Sequence, residues 1–376
     1  MNNSRIGGRI RALRERAGMK QQDLADILEL KDRQSVSAIE AGKRSVSADE
    51  LIRLVERFGV SLQDLTNPFL LFDKDSFSWR QTNVARADLD AFEQTAGQWI
   101  GAYRALAEKP AGETRKLLPN LRLMHGSSFE DAIAAGEAVA SFLELGDTPA
   151  QELPEAVERR LGILVLMVDP IPGISGAACH LPELDAILIN RNESRGRRHA
   201  DLSHELFHIM TWDTMRPERV ESAEQIWDRP IDRPIDRKAV RNERIEQLAD
   251  NFSFGVLMPS SALDKLPEPR ANAEWLDAAA DKLGVSSINL KWRMVNSKRA
   301  PEMRNVPNAE LSRLARLRQE SKPPLHSRPF LEALSTAIGK GDISVRRVAV
   351  LLNAPLEDIG EMFDSHGLSR PEELQF

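Results

Sequence analysis

Apolar residues recur at helical spacing through the first fifth of the chain and again through its last third. Between them lies an interval of short apolar runs. Ile6, Ile10 and Leu13 make one helical stripe, Leu24, Ala25 and Leu28 the next; Val36 and Ile39 follow, then Leu51, Leu54 and Val55. This predicts five short helices over residues 1–67. Gly18 and Gly42 stand where helices end, and Ser47 with Glu50 three residues later forms a capping box for the fourth helix. Pro68 closes this region, and a helix over 88–106 carries Leu89, Phe92, Trp99, Ile100 and Tyr103. Two helices at 130–145 and 149–161 then lead to three strand candidates, 163–168, 175–180 and 186–190. Beyond Pro267 the pattern is helical again, at 275–283, 288–295, 305–320, 330–338, 344–352 and 356–363.

The chemistry concentrates just after the strand candidates, in Asp201-Leu-Ser-His-Glu-Leu-Phe-His-Ile-Met210. Two histidines four apart on a helix lie one turn above each other, so His204 and His208 project from one face. That spacing suits two ligands of a tetrahedral Zn²⁺, with Glu205 placed as general base on the metal's water. Leu202, Leu206, Phe207, Ile209 and Met210 make the helix a buried one, where three ionisable groups need a purpose. In Arg241-Asn-Glu-Arg-Ile-Glu-Gln-Leu-Ala-Asp-Asn-Phe252, Glu246 and Asp250 share a helical face. Glu246 would complete a His₂Glu site with an open fourth position, and Asp250 would accept the second imidazole N–H of a ligand histidine.

Bulk composition narrows the remaining choices. At 376 residues the chain holds more than one domain, and 41% hydrophobic with 29% charged residues is ordinary for a soluble protein. No run approaches a membrane span, and the arginine-studded N-terminus is no secretory signal. A single cysteine, Cys179, excludes an internal disulfide framework and fits a reducing cytoplasm. A net charge of −6 argues against a protein that coats nucleic acid wholesale, while leaving room for a local DNA-binding module.

Two stretches carry family resemblances. Gly18-Met-Lys-Gln-Gln-Asp-Leu-Ala-Asp-Ile-Leu28, followed by Arg33-Gln-Ser-Val-Ser-Ala-Ile-Glu-Ala-Gly-Lys-Arg44, resembles the Xre/Cro-type helix-turn-helix family. The resemblance implies DNA contacts from Gln21, with Gln22 beside it, and from Arg33, Gln34, Ser35 and Ser37. Short polar and bidentate side chains at the start of a recognition helix are what base-edge reading requires, and Lys43 and Arg44 are placed for phosphates. A single copy would bind weakly, so a homodimer on a two-half-site operator is expected, with the chain's own promoter as its site.

The second resemblance spans roughly residues 130–265. Ser175-Gly-Ala, Ile187-Leu-Ile-Asn190, Arg198-His-Ala-Asp-Leu-Ser-His-Glu-Leu-Phe-His208 and Glu246-x-x-Ala-Asp-x-Phe with Leu257-Met-Pro259 are similar to the ImmA/IrrE family of metallopeptidases. It implies zinc ligands His204, His208 and Glu246 with Glu205 as base, and fusion to an Xre-type domain occurs in that family. Two features depart from it. Asp228-Arg-Pro-Ile-Asp-Arg-Pro-Ile-Asp-Arg237 is a tandem tetrapeptide whose prolines forbid helix. The only tyrosine, Tyr103, lies outside this region, leaving His199 and the arginines before it as candidates to stabilise an oxyanion.

The expected architecture is multidomain and mainly α with an α+β metallopeptidase core: 1–67 a five-helix helix-turn-helix domain, 68–125 a helical connector, 126–265 a small-sheet peptidase-like domain. A helix-turn-helix-like segment (266–300), expected to pack beneath the peptidase, and a helical C-terminal region (301–376) complete it. The expected function is a cytoplasmic DNA-binding regulator with a zinc endopeptidase that cleaves a partner or repressor protein in a stress, phage-defence or toxin–antitoxin-like response. The alternative is an autoregulating repressor or antitoxin whose peptidase-like domain senses or docks a cognate partner without cleaving. A strand beside the motif helix would offer an edge for a substrate peptide. Strand alternation sets Cys179 opposite His180, so either could face the metal; a Cys179 thiolate there would be a redox switch, released on oxidation.

Overall fold

Short polar side chains decide where the N-terminal helices begin. The computed structural model describes residues 3–67, 69–71, 76–108, 119, 121–222, 237–318 and 320–374. Helices α1 (Asn3–Arg16), α2 (Gln21–Ile27), α3 (Arg33–Glu40), α4 (Ala48–Phe58) and α5 (Leu62–Thr66) match the five expected. The Asp32 carboxylate caps α3 by accepting from the Ser35 N–H at 2.9 Å. Ser47 and Glu50 form the reciprocal capping box of α4, and Gly59 ends that helix in the left-handed region. Ile10, Leu24, Val36, Ile39, Leu54 and Leu65 are fully buried as one cluster. A methyl at Gly7 would collide with the Ile39 carbonyl, so glycine is what lets α1 lie close on α3.

The chain divides into two compact units, Met1–Asp75 with Glu93–Leu106, and Ser76–Phe92 with Ala107–Phe376. The helix expected at 88–106 is part of α6 (Arg86–Leu106). The second unit has a five-stranded mixed sheet in the order β2-β4-β3-β1-β5. Its strands are β1 (Phe77–Gln81), β2 (Leu164–Val168), β3 (Ile174–Leu181), β4 (Leu184–Asn190) and β5 (Val220–Ser222). β3 runs antiparallel to both β4 and β1, whereas β2 is parallel to β4 and β1 to β5. β1 lies inside the stretch read as a helical connector. Its aromatic residues Phe77 and Trp79 alternate with Ser78 and Arg80 and stack on each other at 5.3 Å, the two-residue period of a strand.

The helices that flank these strands in sequence are α7 (Phe129–Phe142), α8 (Pro149–Ala156), α9 (Arg195–Thr211) and α10 (Arg237–Leu257). α9 packs on β3 and β4, and α10 packs on α9 and α7. α7 and α10 approach through paired glycines. A methyl on Gly136 would strike the Phe252 carbonyl, and one on Gly255 the Ile133 carbonyl. Gly196 plays the same part where the start of α9 meets the backbone at Val285 and Ser286. Nearby, His199 donates from Nδ1 to the Gly284 carbonyl at 2.7 Å. Together these contacts fix the axial position of α9.

Then follow α11 (Ser260–Leu263), α12 (Ala273–Leu283), α13 (Ser287–Asn296), α14 (Asn308–Arg316), α15 (Arg328–Gly339), α16 (Val345–Leu352) and α17 (Leu356–Ser365). The helix expected over 305–320 is thus confined to α14. The α12–α13 pair is not exposed for DNA: Ser287, Asn289, Lys291 and Arg293 are buried. Lys291 Nζ donates to the Val306 carbonyl at 2.9 Å and Arg293 to Glu137 at 2.7 Å. No helix among the described residues is long and apolar enough to cross a membrane. The 228–237 repeat lies outside the described residues save its last position.

Candidate metal centre

α9 carries His204, Glu205 and His208 on the face toward the sheet and α10, and all three are buried. α10 brings Glu246 and Asp250 against them. His204 Nε2 lies 3.3 Å from Glu246 Oε2, and His208 Nε2 lies 3.7 Å from Glu246 Oε1. His204 Nδ1 meets Asp250 Oδ1 at 2.9 Å, which fixes the ring and leaves Nε2 for the centre. The structure therefore brings together the four residues that the motif and its downstream helix singled out, with Asp250 behind them.

Two further residues, both absent from the expected site, complete the group. Glu221, on β5, places Oε2 3.2 Å from His208 Nε2. Arg80, on β1, is buried between Asp201 at 3.7 Å and Asp250 at 3.8 Å. Its register partners are Gly176 on β3 and Glu221 on β5. Gly176 faces this group, since a methyl there would meet the Leu188 carbonyl at 2.9 Å and lie in ordinary contact with Glu205 Cγ at 3.7 Å. The alternation Phe77-Ser-Trp-Arg was a legible strand signal for Arg80; Glu221 sits in a three-residue strand with no distinguishing sequence pattern.

The donor set passes a physical test for a divalent cation. His204 Nε2, His208 Nε2, Glu221 Oε2 and Glu246 Oε2 are all buried without a hydrogen-bond partner, a costly arrangement if nothing sits among them. One donor atom from each of these residues lies within 4.8 Å of the others. A tetrahedron with metal–donor bonds of about 2.0–2.1 Å has edges of about 3.3 Å. The 3.2 and 3.3 Å separations match that edge. Charge balance points the same way. Carboxylates of Asp201, Glu205, Glu221, Glu246 and Asp250 crowd a region served by the guanidinium of Arg80 and, at Asp201's outer oxygen, Arg197 at 3.0 Å.

The same crowding shifts the titrations. Burial raises the Glu205 carboxyl well above its ordinary range, and the neighbouring Glu221 adds to it. Burial likewise pushes Glu221 up to about 7 and His208 down to about 3. At His204, burial and Arg80 oppose the charged ring, yet Asp250 and Glu246 outweigh them and raise it to about 10.

Other expected residues fall elsewhere. Cys179 does not join the metal-binding group. It pairs with Phe77 and Ala186, and alternation sets it on the sheet face opposite Gly176 and Glu205, so the redox-switch role is withdrawn. His180 takes the α9 side, stacked on Trp212 at 5.3 Å and bonded to Asp185 at 2.7 Å. His199, an oxyanion candidate, is tied to Gly284 instead. A strand edge was expected beside the motif helix; β3, which packs on α9, has both edges taken, by β4 and by β1.

In the first unit, Gln22, Arg33, Gln34, Ser37 and Lys43 are exposed. Three other expected DNA contacts are engaged: Gln21 with Glu40 at 2.8 Å, Ser35 with its capping Asp32 at 3.1 Å, and Arg44 with Glu50 at 2.7 Å. Gln22, on α2, donates to Asp26 at 2.9 Å, while Arg33, Gln34 and Ser37 lie on α3 and Lys43 in the loop after it.

Comparison with curated proteins and with solved structures returns no match. Residues 10–65 match the helix-turn-helix family model. That match, on five helices whose third presents exposed polar side chains, supports a DNA-binding transcription regulator.

Proposed function

We propose that the chain is a DNA-binding regulator whose second unit is a zinc-dependent endopeptidase acting on a partner or repressor protein. The observation that carries this is the convergence of unpaired His204, His208 and Glu246 donor atoms beside an unpaired, buried Glu205. The side chains of His204, His208 and Glu246 would hold the cation. When bound, zinc would polarise a peptide carbonyl and make water more acidic. Glu205, buried with both carboxylate oxygens unpaired beside the donors, would take the proton from the attacking water and return it to the leaving amine. Asp250 holds His204 in the tautomer that presents Nε2, and Arg80 steadies Asp201 and Asp250. On the DNA side, a homodimer would engage a two-half-site operator, with the chain's own promoter as the natural site.

Replacing Glu205 by Gln removes the base and leaves the ligands. The variant is expected to keep its metal and melting temperature while losing cleavage, so a reporter driven by the chain's own promoter stops responding to the inducing stress. A wild-type reporter response from Glu205→Gln favours the second reading, a repressor that docks its partner without cleaving. Glu221, standing where an open position would be needed, is the observation that favours that alternative.

A further inference from the structure

A substrate peptide would need two things from this centre: an edge to pair with and a vacant donor position. The chain itself supplies occupants for both. β3, the strand beside α9, pairs with β4 on one side and with β1 on the other, antiparallel from Phe77↔Cys179 to Gln81↔Ile174. An extended peptide added to that edge would take the place of β1. Beyond β1, the short strand β5 carries Glu221 to 3.2 Å from His208 Nε2, with Oε2 unpaired. That oxygen belongs to the same close group of donors as His204, His208 and Glu246.

Resting on the peptidase reading, we infer that β1 and β5 form an internal occupant of the substrate edge and that Glu221 is the fourth metal donor. The folded centre is then closed, and substrate reaches it when β5 draws Glu221 away. Of the two strands β5 is the more lightly held, since β1 has a five-pair ladder on β3 and a fully buried Trp79. Three residue pairs join β5 to β1, supported by the Trp79 N–H on the Arg219 carbonyl at 2.8 Å and the Ser78 hydroxyl on the Glu218 carbonyl at 2.7 Å. The anchor of β1 is Arg80, held between Asp201 and Asp250, whose carboxylates are set by α9 and α10. A partner that competes for those carboxylates, or for the β3 edge, would open the site. Glu221 also carries specificity for the closed state: a carboxylate binds the cation strongly, whereas an amide in its place is a weaker, neutral donor and a methyl none.

The test uses the full chain loaded with Co²⁺, whose visible spectrum reports its donors, titrated with acetohydroxamate as a small oxygen ligand. The wild-type spectrum is expected to change little on titration. Glu221→Ala and the size-conserving Glu221→Gln should both shift on adding acetohydroxamate. Both should bind Co²⁺ at least tenfold more weakly, a loss no smaller than the roughly 10–100-fold that follows removal of an outer-sphere partner. If wild type responds to acetohydroxamate as strongly as the variants, or if both variants keep wild-type affinity and spectrum, the closed-centre inference is overturned. Should that occur while His204→Ala abolishes Co²⁺ binding, the metal-centre reading survives it. Failure of the wild-type chain to take up Co²⁺ overturns both.

Discussion

His204 and Asp250 meet across two helices, Nδ1 to Oδ1 at 2.9 Å, so that one carboxylate on α10 sets the aim of an imidazole on α9. Asp250→Asn preserves the volume but removes the charge and turns the acceptor into a weaker one. Metal affinity is expected to fall by roughly 10–100-fold with the fold intact. Competition for Zn²⁺ against a chromophoric chelator measures it, and an unchanged affinity would show that His204 is aimed by something else.

The glycine pair joining α7 and α10 is a matter of stability rather than chemistry. Gly136→Ala and Gly255→Ala each push a methyl into a backbone carbonyl of the facing helix, which cannot swing aside as a side chain would. Each should cost about 1–3 kcal/mol, towards the upper end. The denaturant midpoint of the second unit reads this directly; a midpoint unchanged in both variants contradicts the close approach.

pH dependence has a traceable source at His199. Burial lowers its imidazole to about 4, whereas an unfolded chain takes up that proton near about 6.5. The neutral ring therefore contributes stability fully above about pH 6.5, and the contribution is lost as pH falls towards 4. It amounts to about 3 kcal/mol at most. His199→Gln should flatten the fall in unfolding free energy between those pH values. Parallel profiles for the two proteins would assign the dependence to other groups.

For DNA, exposure separates two kinds of contact. Gln34, free at the start of α3, is expected to read a base, so Gln34→Ala should relax preference at one operator position. Lys43→Ala should weaken all sequences alike and lower the salt slope by about one. Arg44→Ala should instead cost stability, because its guanidinium is bound to the capping Glu50. Fluorescence anisotropy on operator and scrambled duplexes at several salt concentrations distinguishes these outcomes.

Local rules made most of the elements legible. Ser47 with Glu50, Gly18 and Gly42 place the ends of the N-terminal helices, and the i, i+4 histidines place the face that α9 turns inward. Pairing across long sequence distances was not legible. β1 joins the sheet 93 or more positions away from β3, and β5 brings Glu221 to a group whose other members are helical. A three-residue strand carries no period to read, and a lone glutamate in it resembles any surface carboxylate. The side of β3 that Cys179 would face was equally undecided, since alternation gives opposition to His180 but not which face meets α9.

The central claim is that the group formed by His204, His208 and Glu246 holds a metal ion. Elemental analysis of the purified chain and of His204→Ala and Glu246→Ala tests it most directly, with folding of each verified by circular dichroism. About one zinc per wild-type chain, and loss of most of it in both variants, is the predicted result. A wild-type chain that binds no divalent metal even when zinc is supplied, or full retention in both variants, would contradict the claim.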